Sequence, residues 1–191
     1  MDLLPIADDA QGSQDRADAP GDPSAPGGTA PAPPRPAVVA KARVLFTDRR
    51  GRILLVRLQP WHNALHWGLP GGTVEAGTEA PRQAAVREIA EETGLLCAPG
   101  RLLAVDWVNR SGDQPRIVHV FDGGLLEDGD LAGIRLDEAE LATWRMCTPD
   151  EAEALLSAAS WGQLKASLAA LPTDGGPAEL LDGAAVEFPA P

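Results

Sequence analysis

The stretch Ala80–Thr93 constrains this chain most, because it reads as a helix and must carry three carboxylates on one side. Pro81 falls in the first turn, where a missing N–H leaves no hydrogen bond unmade. Val86, Ile89, Ala90 and Thr93 recur at three- and four-residue spacing and predict one packing stripe. Gly94 follows as a helix stop. Glu88, Glu91 and Glu92 stand at i, i+3 and i+4, so they share a face one turn apart. Carboxylates that close repel one another, and Arg87 is the cation beside them. A hard divalent ion, Mg²⁺ or Mn²⁺, relieves this repulsion and keeps room for waters and phosphate oxygens. Glu is also a good helix former, so a bare pattern of this kind is ordinarily a solvated face. The flanking residues decide between the two.

Upstream lies Gly71-Gly72, which lets the backbone turn sharply or approach a ligand. Glu75, Gly77 and Glu79 follow; seven residues separate Glu79 from Arg87-Glu88, and Gly94-Leu95 closes the helix. The whole string, GGTVEAGTEAPRQAAVREIAEETGL, resembles the signature of the Nudix hydrolase family. In that signature a Gly is followed by a Glu, an Arg-Glu pair, an aliphatic residue, a Glu-Glu pair, and a Gly with an aliphatic residue. Arg87, Glu88, Ile89, Glu91, Glu92, Gly94 and Leu95 fit it, and Glu79 fits in its distance to Arg87. One departure stands out: six residues rather than five separate Gly72 from Glu79, with Thr78 as the extra one. The insertion falls in the loop before the helix, where it does not turn the carboxylates off their face. RILLVRL at 52–58, HWGLPGG at 66–72 and a Trp144 strand with a following helix extend the likeness over roughly 37–172.

The resemblance implies an α+β fold, an α/β/α sandwich around a mixed sheet with the signature helix at about 80–93. It implies hydrolysis of a diphosphate linkage in a nucleoside diphosphate derivative or related small molecule. By position, Glu88, Glu91 and Glu92 would hold Mg²⁺, with Mn²⁺ as substitute and the Gly71 carbonyl as a further ligand. Arg87 would orient the carboxylates by paired hydrogen bonds. Whether Glu88 or Glu91 serves as ligand or as general base is open. Relatives often add a carboxylate from the loop before the last strand; Glu138 is preferred here over Glu140, an ordinary acidic loop being the alternative. Arg57, and more weakly Arg43, correspond to phosphate-binding arginines of some relatives, against a plain role as solvated strand charges. Trp67, like Trp61, could stack on a base, although a place in a strand pattern makes packing the plainer role. His62, His66 and His119 share no ligand spacing and are given no metal.

Two other functions use the same fold. A ligand sensor without catalysis would not need Arg87, Glu88, Glu91 and Glu92 together. An isomerase acting on an isoprenoid diphosphate would want a cysteine near the signature, whereas Cys97 follows the helix.

Along the rest of the chain, residues 1–36 are rich in Asp, Ala and Pro and are expected to be a disordered leader. The domain is expected over 37–172. Its strands fall at Val38–Phe46, Arg52–Leu58 (paired with the first as a hairpin about Asp48–Gly51), Trp67–Leu69, Arg101–Val108, Arg116–Leu126 and Thr143–Met146. An acidic loop fills 127–141, and helices are expected at Asp150–Ala159, with Asp150 as cap, and Trp161–Leu171. Residues 173–191, rich in Gly, Pro and Ala, are expected to be a flexible tail. The formal net charge of -12 sits mostly at the ends, which disfavours duplex nucleic acid and anionic membranes as partners. A small anionic substrate stays compatible, since a bound metal reverses the local sign. Two cysteines 50 residues apart, Cys97 and Cys147, read as reduced thiols of a cytoplasmic protein.

Overall fold

In the computed structural model the described residues are 37–62, 66–110, 112 and 114–187; the leader expected at 1–36 lies outside them. Strand β1 (Val39–Asp48) turns at Asp48 into β2 (Ile53–Leu58). The Asp48 carboxylate accepts the N–H groups of Arg50 and Arg52, each at 2.9 Å, and Gly51 adopts φ 73°. Beyond this hairpin the two strands part: Thr47 and Ile53 are their one register pair. Strand β1 then runs parallel to β5 (Arg116–Leu126) over its whole length, while β2 joins β3 (Trp67–Gly68) and β6 (Leu141–Cys147). On the far side of β5 lies β4 (Leu102–Val108), antiparallel to it. The sheet therefore has two wings joined at one hairpin.

Strand alternation explains the layers. Ala42, Val44 and Phe46 of β1 face helix α1 (Pro81–Thr93) and pack with Ala84, Ala85 and Ile89. Ile89 is fully buried, which stabilises by roughly 2–3 kcal/mol. The other face carries Leu45 with Val118 and Val120 against Leu103 and Leu164, the latter on helix α4 (Ala158–Ala170). Helices thus cover both faces of a mixed sheet, as expected.

Several local expectations are corrected. Val86 is 42% exposed, and the buried stripe of α1 runs through Ala85, Ile89, Glu92 and Thr93. A one-residue difference in phase turns Val86 outward. The acidic stretch 127–141 is not all loop, since Asp128–Gly133 forms a short helix, α2. Asp150 is not the cap of α3 (Pro149–Leu155); Thr148 is, accepting the Glu151 N–H while Glu151 accepts the Thr148 N–H. Ala158 and Ala159 belong to α4 rather than to α3.

The tail is not loose throughout. Ala178–Leu181 forms β7, parallel to β4, and pairs with β8 (Ala184–Ala185). Buried Asp106 of β4 holds it: its carboxylate accepts the Gly183 N–H at 3.1 Å and the Gln163 side-chain amide at 2.6 Å. No helix among the described residues is long and apolar enough to cross a membrane.

Candidate active site

Residues 70–74 lie along the edge of β1 that β5 leaves open. Val44 donates its N–H to Pro70, Ala42 donates to Gly72, and Val74 donates to Ala40. Gly71, at φ 120°, sits so close to the Ala42 carbonyl that a Cβ would be built into it. At Gly72 a Cβ would fall on the Glu88 carboxylate. The two glycines let α1 lay its carboxylates directly on this edge.

Glu92 is 4% exposed and accepts the Gly71 N–H at 2.7 Å. Burial pushes its carboxyl up to about 7; the Arg43 charge and the Gly71 N–H pull the other way, and the charges of Glu88 and Glu140 add to the rise. The end of α1 is held from outside by the following loop. Arg135 donates its N–H to the Thr93 carbonyl and Asp137 donates to that of Glu92.

Arg87 organises the rest. Its guanidinium donates twice to Glu79, at 2.7 and 3.1 Å, and once each to Glu88 at 3.1 Å, Glu91 at 2.9 Å and the Thr73 carbonyl at 3.1 Å. The Glu79 hydrogen bonds are the largest cause holding the Arg87 pKa above its ordinary value, and Arg87 in turn holds Glu79 below its own. The extra residue before Glu79 is absorbed in a turn: Thr78 and Glu79 both donate their N–H to the Glu75 carbonyl, and Gly77 adopts φ 89°. Glu79 reaches Arg87 in spite of the insertion.

The donor set is all oxygen. Glu88 and Glu92 are shielded, whereas the Glu91 side chain is 59% exposed and turned to Arg87. Among the described residues no three His, Cys, Asp or Glu side chains converge to metal-ligand spacing. Even so, a divalent cation suits the Glu88–Glu92 pair. Both carboxylates are partly desolvated beside each other, and burial, with the Glu88 charge adding to it, drives Glu92 toward its neutral form, a cost that a bound divalent cation would offset.

Next to Glu92 opens a cavity of about 510 Å³ between the two wings. Arg43 and Trp67 line it, together with Lys41, Arg110 and Arg116. Burial is the largest cause lowering the Lys41 and Arg43 pKa values; neighbouring cations add to this, and the charges of Glu88 and Glu92 oppose it. Arg57, expected at the substrate, stands outside this lining. Its guanidinium lies over the Trp67 ring at 5.8 Å, and its Nε is buried without a hydrogen-bond partner. Glu138 is exposed and is engaged through its backbone carbonyl by the Gln59 side chain. Glu140 is the loop carboxylate whose charge reaches Glu92. Reading the sequence missed Lys41, Arg110 and Arg116. Lys41 was findable, standing two residues before Arg43 on one strand; the other two needed the pairing of β5 with both β1 and β4.

The chain matches the NUDIX domain family over residues 38–168. It belongs to the Nudix family. This Nudix domain is 32% identical over 132 residues to an uncharacterized Nudix hydrolase, orf19, of Rhodococcus erythropolis, covering 64% of this chain and 69% of that protein. It is 41% identical over 73 residues to a putative ADP-ribose pyrophosphatase, YjhB, of Bacillus subtilis. That match covers 38% of this chain and 33% of the Bacillus protein, so the chain spans about a third of that relative's length. Its fold is similar to the crystal structure of a MutT protein from Methanosarcina mazei Go1, with a TM-score of 0.57 and 25% identity, over 66% of this chain and 89% of the other.

Proposed function

We propose that this Nudix protein hydrolyses a diphosphate linkage in a nucleoside diphosphate derivative or related small molecule, using Mg²⁺ or Mn²⁺. The observation that carries the reading is Glu92, buried on the Gly71 N–H beside Glu88 and open to a cavity rich in cations. Glu88 and Glu92 would hold the ion, with Glu91 and the Gly71 carbonyl as further candidate ligands. The ion supplies charge neutralisation of the diphosphate and a more acidic bound water. Arg87 positions Glu79, Glu88 and Glu91 by charge-assisted hydrogen bonds. Glu88 and Glu91 are candidates for the base that takes the proton of the attacking water, and Glu140 supports them in place of Glu138. Arg43 binds phosphate oxygens and Trp67 packs against the substrate, with Arg57 behind it. The names of relatives, one of them a putative ADP-ribose pyrophosphatase, support a nucleotide-derived substrate. The free thiols of Cys97 and Cys147 suit a cytoplasmic setting.

The test is a panel of nucleoside diphosphate derivatives assayed for phosphate release after a coupling phosphatase. Turnover that needs Mg²⁺ or Mn²⁺, stops with chelator and is lost in Glu92→Gln is the expected result. The extra residue Thr78 before Glu79 leaves one rival, a ligand sensor on the same fold. Chelator-insensitive binding with no hydrolysis across the panel would establish that rival instead.

A further inference from the structure

Beyond residue 168, where the family match ends, the chain adds the β7–β8 hairpin to the edge of β4. Its two-residue turn is Asp182–Gly183, with φ of 52° and 82°. Positive φ at both central positions is the type I′ pattern, which Asn, Asp and Gly fit at the first of them. Of these three only Asn and Asp bring a side-chain acceptor. Here the Asp182 carboxylate accepts the Asn109 N–H at 3.0 Å, while its own N–H donates to the Trp107 carbonyl at 3.0 Å. Asn109 is the first residue after β4, and Arg110, the next along the chain, lines the cavity. The second turn residue reaches the neighbouring wall. Gly183 donates to Asp106, whose other oxygen accepts the side-chain amide of Gln163, a cavity-lining residue of α4. Gly183 also packs so closely on α4 that a Cβ on it would be built into the Ala159 backbone, and one on Gly162 into the Gly183 carbonyl. Ala159 lines the cavity too. The turn is therefore wedged between the end of β4 and the first half of α4, two elements whose residues face the cavity.

We infer that the Asp182–Gly183 turn braces the substrate cavity, with Asp182 a positioning residue that sets the backbone at Asn109 and Arg110. The inference rests on the reading of that cavity as the substrate site of a diphosphohydrolase. With the tie removed, Asn109 and Arg110 must be ordered by the substrate itself, which weakens binding. Glu88 and Glu92 stand on α1, whose last turn is fastened to Gly71, so ion binding and the chemical step keep their geometry. The effect falls on KM rather than on kcat.

Two substitutions on the full chain separate the tie from the turn. Asp182→Gly suits the left-handed backbone and removes the acceptor; Asp182→Asn suits it as well and keeps an acceptor. Both delete a negative charge, which by itself favours an anionic substrate and lowers KM, so a rise in KM does not come from the charge. Amide exchange followed by NMR reads the tie without any substrate. The Asn109 N–H is expected to exchange at least about tenfold faster in Asp182→Gly than in the wild type, with α1 unchanged, and to stay within about threefold in Asp182→Asn. Kinetics with Mn²⁺ use ADP-ribose and the fastest-hydrolysed member of the panel of nucleoside diphosphate derivatives. Asp182→Gly is expected to raise KM by about three- to tenfold, the scale of one hydrogen bond, with kcat within about twofold; Asp182→Asn restores the wild-type KM. Unchanged KM in Asp182→Gly, or a rise that Asp182→Asn shares, overturns the brace and leaves the diphosphohydrolase intact. So does equal exchange of the Asn109 N–H in all three proteins, or loss of the whole fold in Asp182→Gly, which would make the side chain a general structural requirement. A wild type inactive on the entire panel overturns both.

Discussion

Glu92 accepts the Gly71 N–H at 2.7 Å, fastening the last turn of α1 to the edge of β1 from 21 residues away. The contact works because neither glycine has a Cβ, and the two sites tolerate one differently. At Gly71 the obstacle is the backbone carbonyl of Ala42 and φ is 120°. Gly71→Ala is expected to destabilise by about 3 kcal/mol or more. At Gly72 the obstacle is the end of the Glu88 side chain, which can swing away. Gly72→Ala should keep most of its stability, within roughly 1–2 kcal/mol of the wild type, but lose Mn²⁺ affinity. Urea melts and calorimetry on the two variants check this; equal stability losses would contradict it.

Arg87 grips Glu79 through two nitrogens at once. Lysine carries the charge but not the fork. Arg87→Lys is therefore expected to lower kcat/KM by roughly 10–100-fold, the range for groups that orient metal ligands. The loss should appear mainly in kcat, measured under saturating Mn²⁺; an unchanged kcat would remove Arg87 from the positioning role.

Glu140 and Glu138 separate two roles in one loop. Both side chains are exposed and both backbone carbonyls accept a hydrogen bond from Gln59, and it is the charge of Glu140 that reaches Glu92. Glu140→Gln should lower kcat by about tenfold or more, and Glu138→Gln should leave it within about twofold. Steady-state kinetics with one substrate decides between them, and the reverse order would favour Glu138.

Asp106 ties β4 to both α4 and the β7–β8 turn. Asp106→Ala leaves the Gly183 N–H and the Gln163 amide without their acceptor, at a cost of about 2–4 kcal/mol. Hydrogen exchange should rise first at 178–185 while α1 stays protected; uniform loss of protection would argue against a local tie.

The features legible in the sequence were those set by neighbours a few residues apart. The helix with Pro81 and Gly94 at its ends, the Asp48–Gly51 turn and the strands at 102–108 and 116–126 all carry their determinants locally. The tail strand AELL was not legible, because four residues between Gly-rich turns become a strand only when β4 offers an edge and Asp106 a buried acceptor. Helix α2 was hidden by two glycines in six residues. Val86 looked buried because Val and Ile three apart fit a stripe, but the true stripe includes the charged Glu92. In the site, the signature disclosed Arg87 and the three glutamates. The cation wall stayed hidden because Arg116 joins Lys41 and Arg43 only through the parallel pairing of β1 with β5, which sets Val39 opposite Arg116.

The account turns on Glu88 and Glu92 acting together as a divalent-cation site. Titration of Mn²⁺ followed by electron paramagnetic resonance, on the wild type and on folded Glu92→Gln, tests it most directly. The account predicts that the wild type sequesters the ion and that the variant binds at least about a hundredfold more weakly. Equal affinity in the two proteins, with the same fold by circular dichroism, would contradict it.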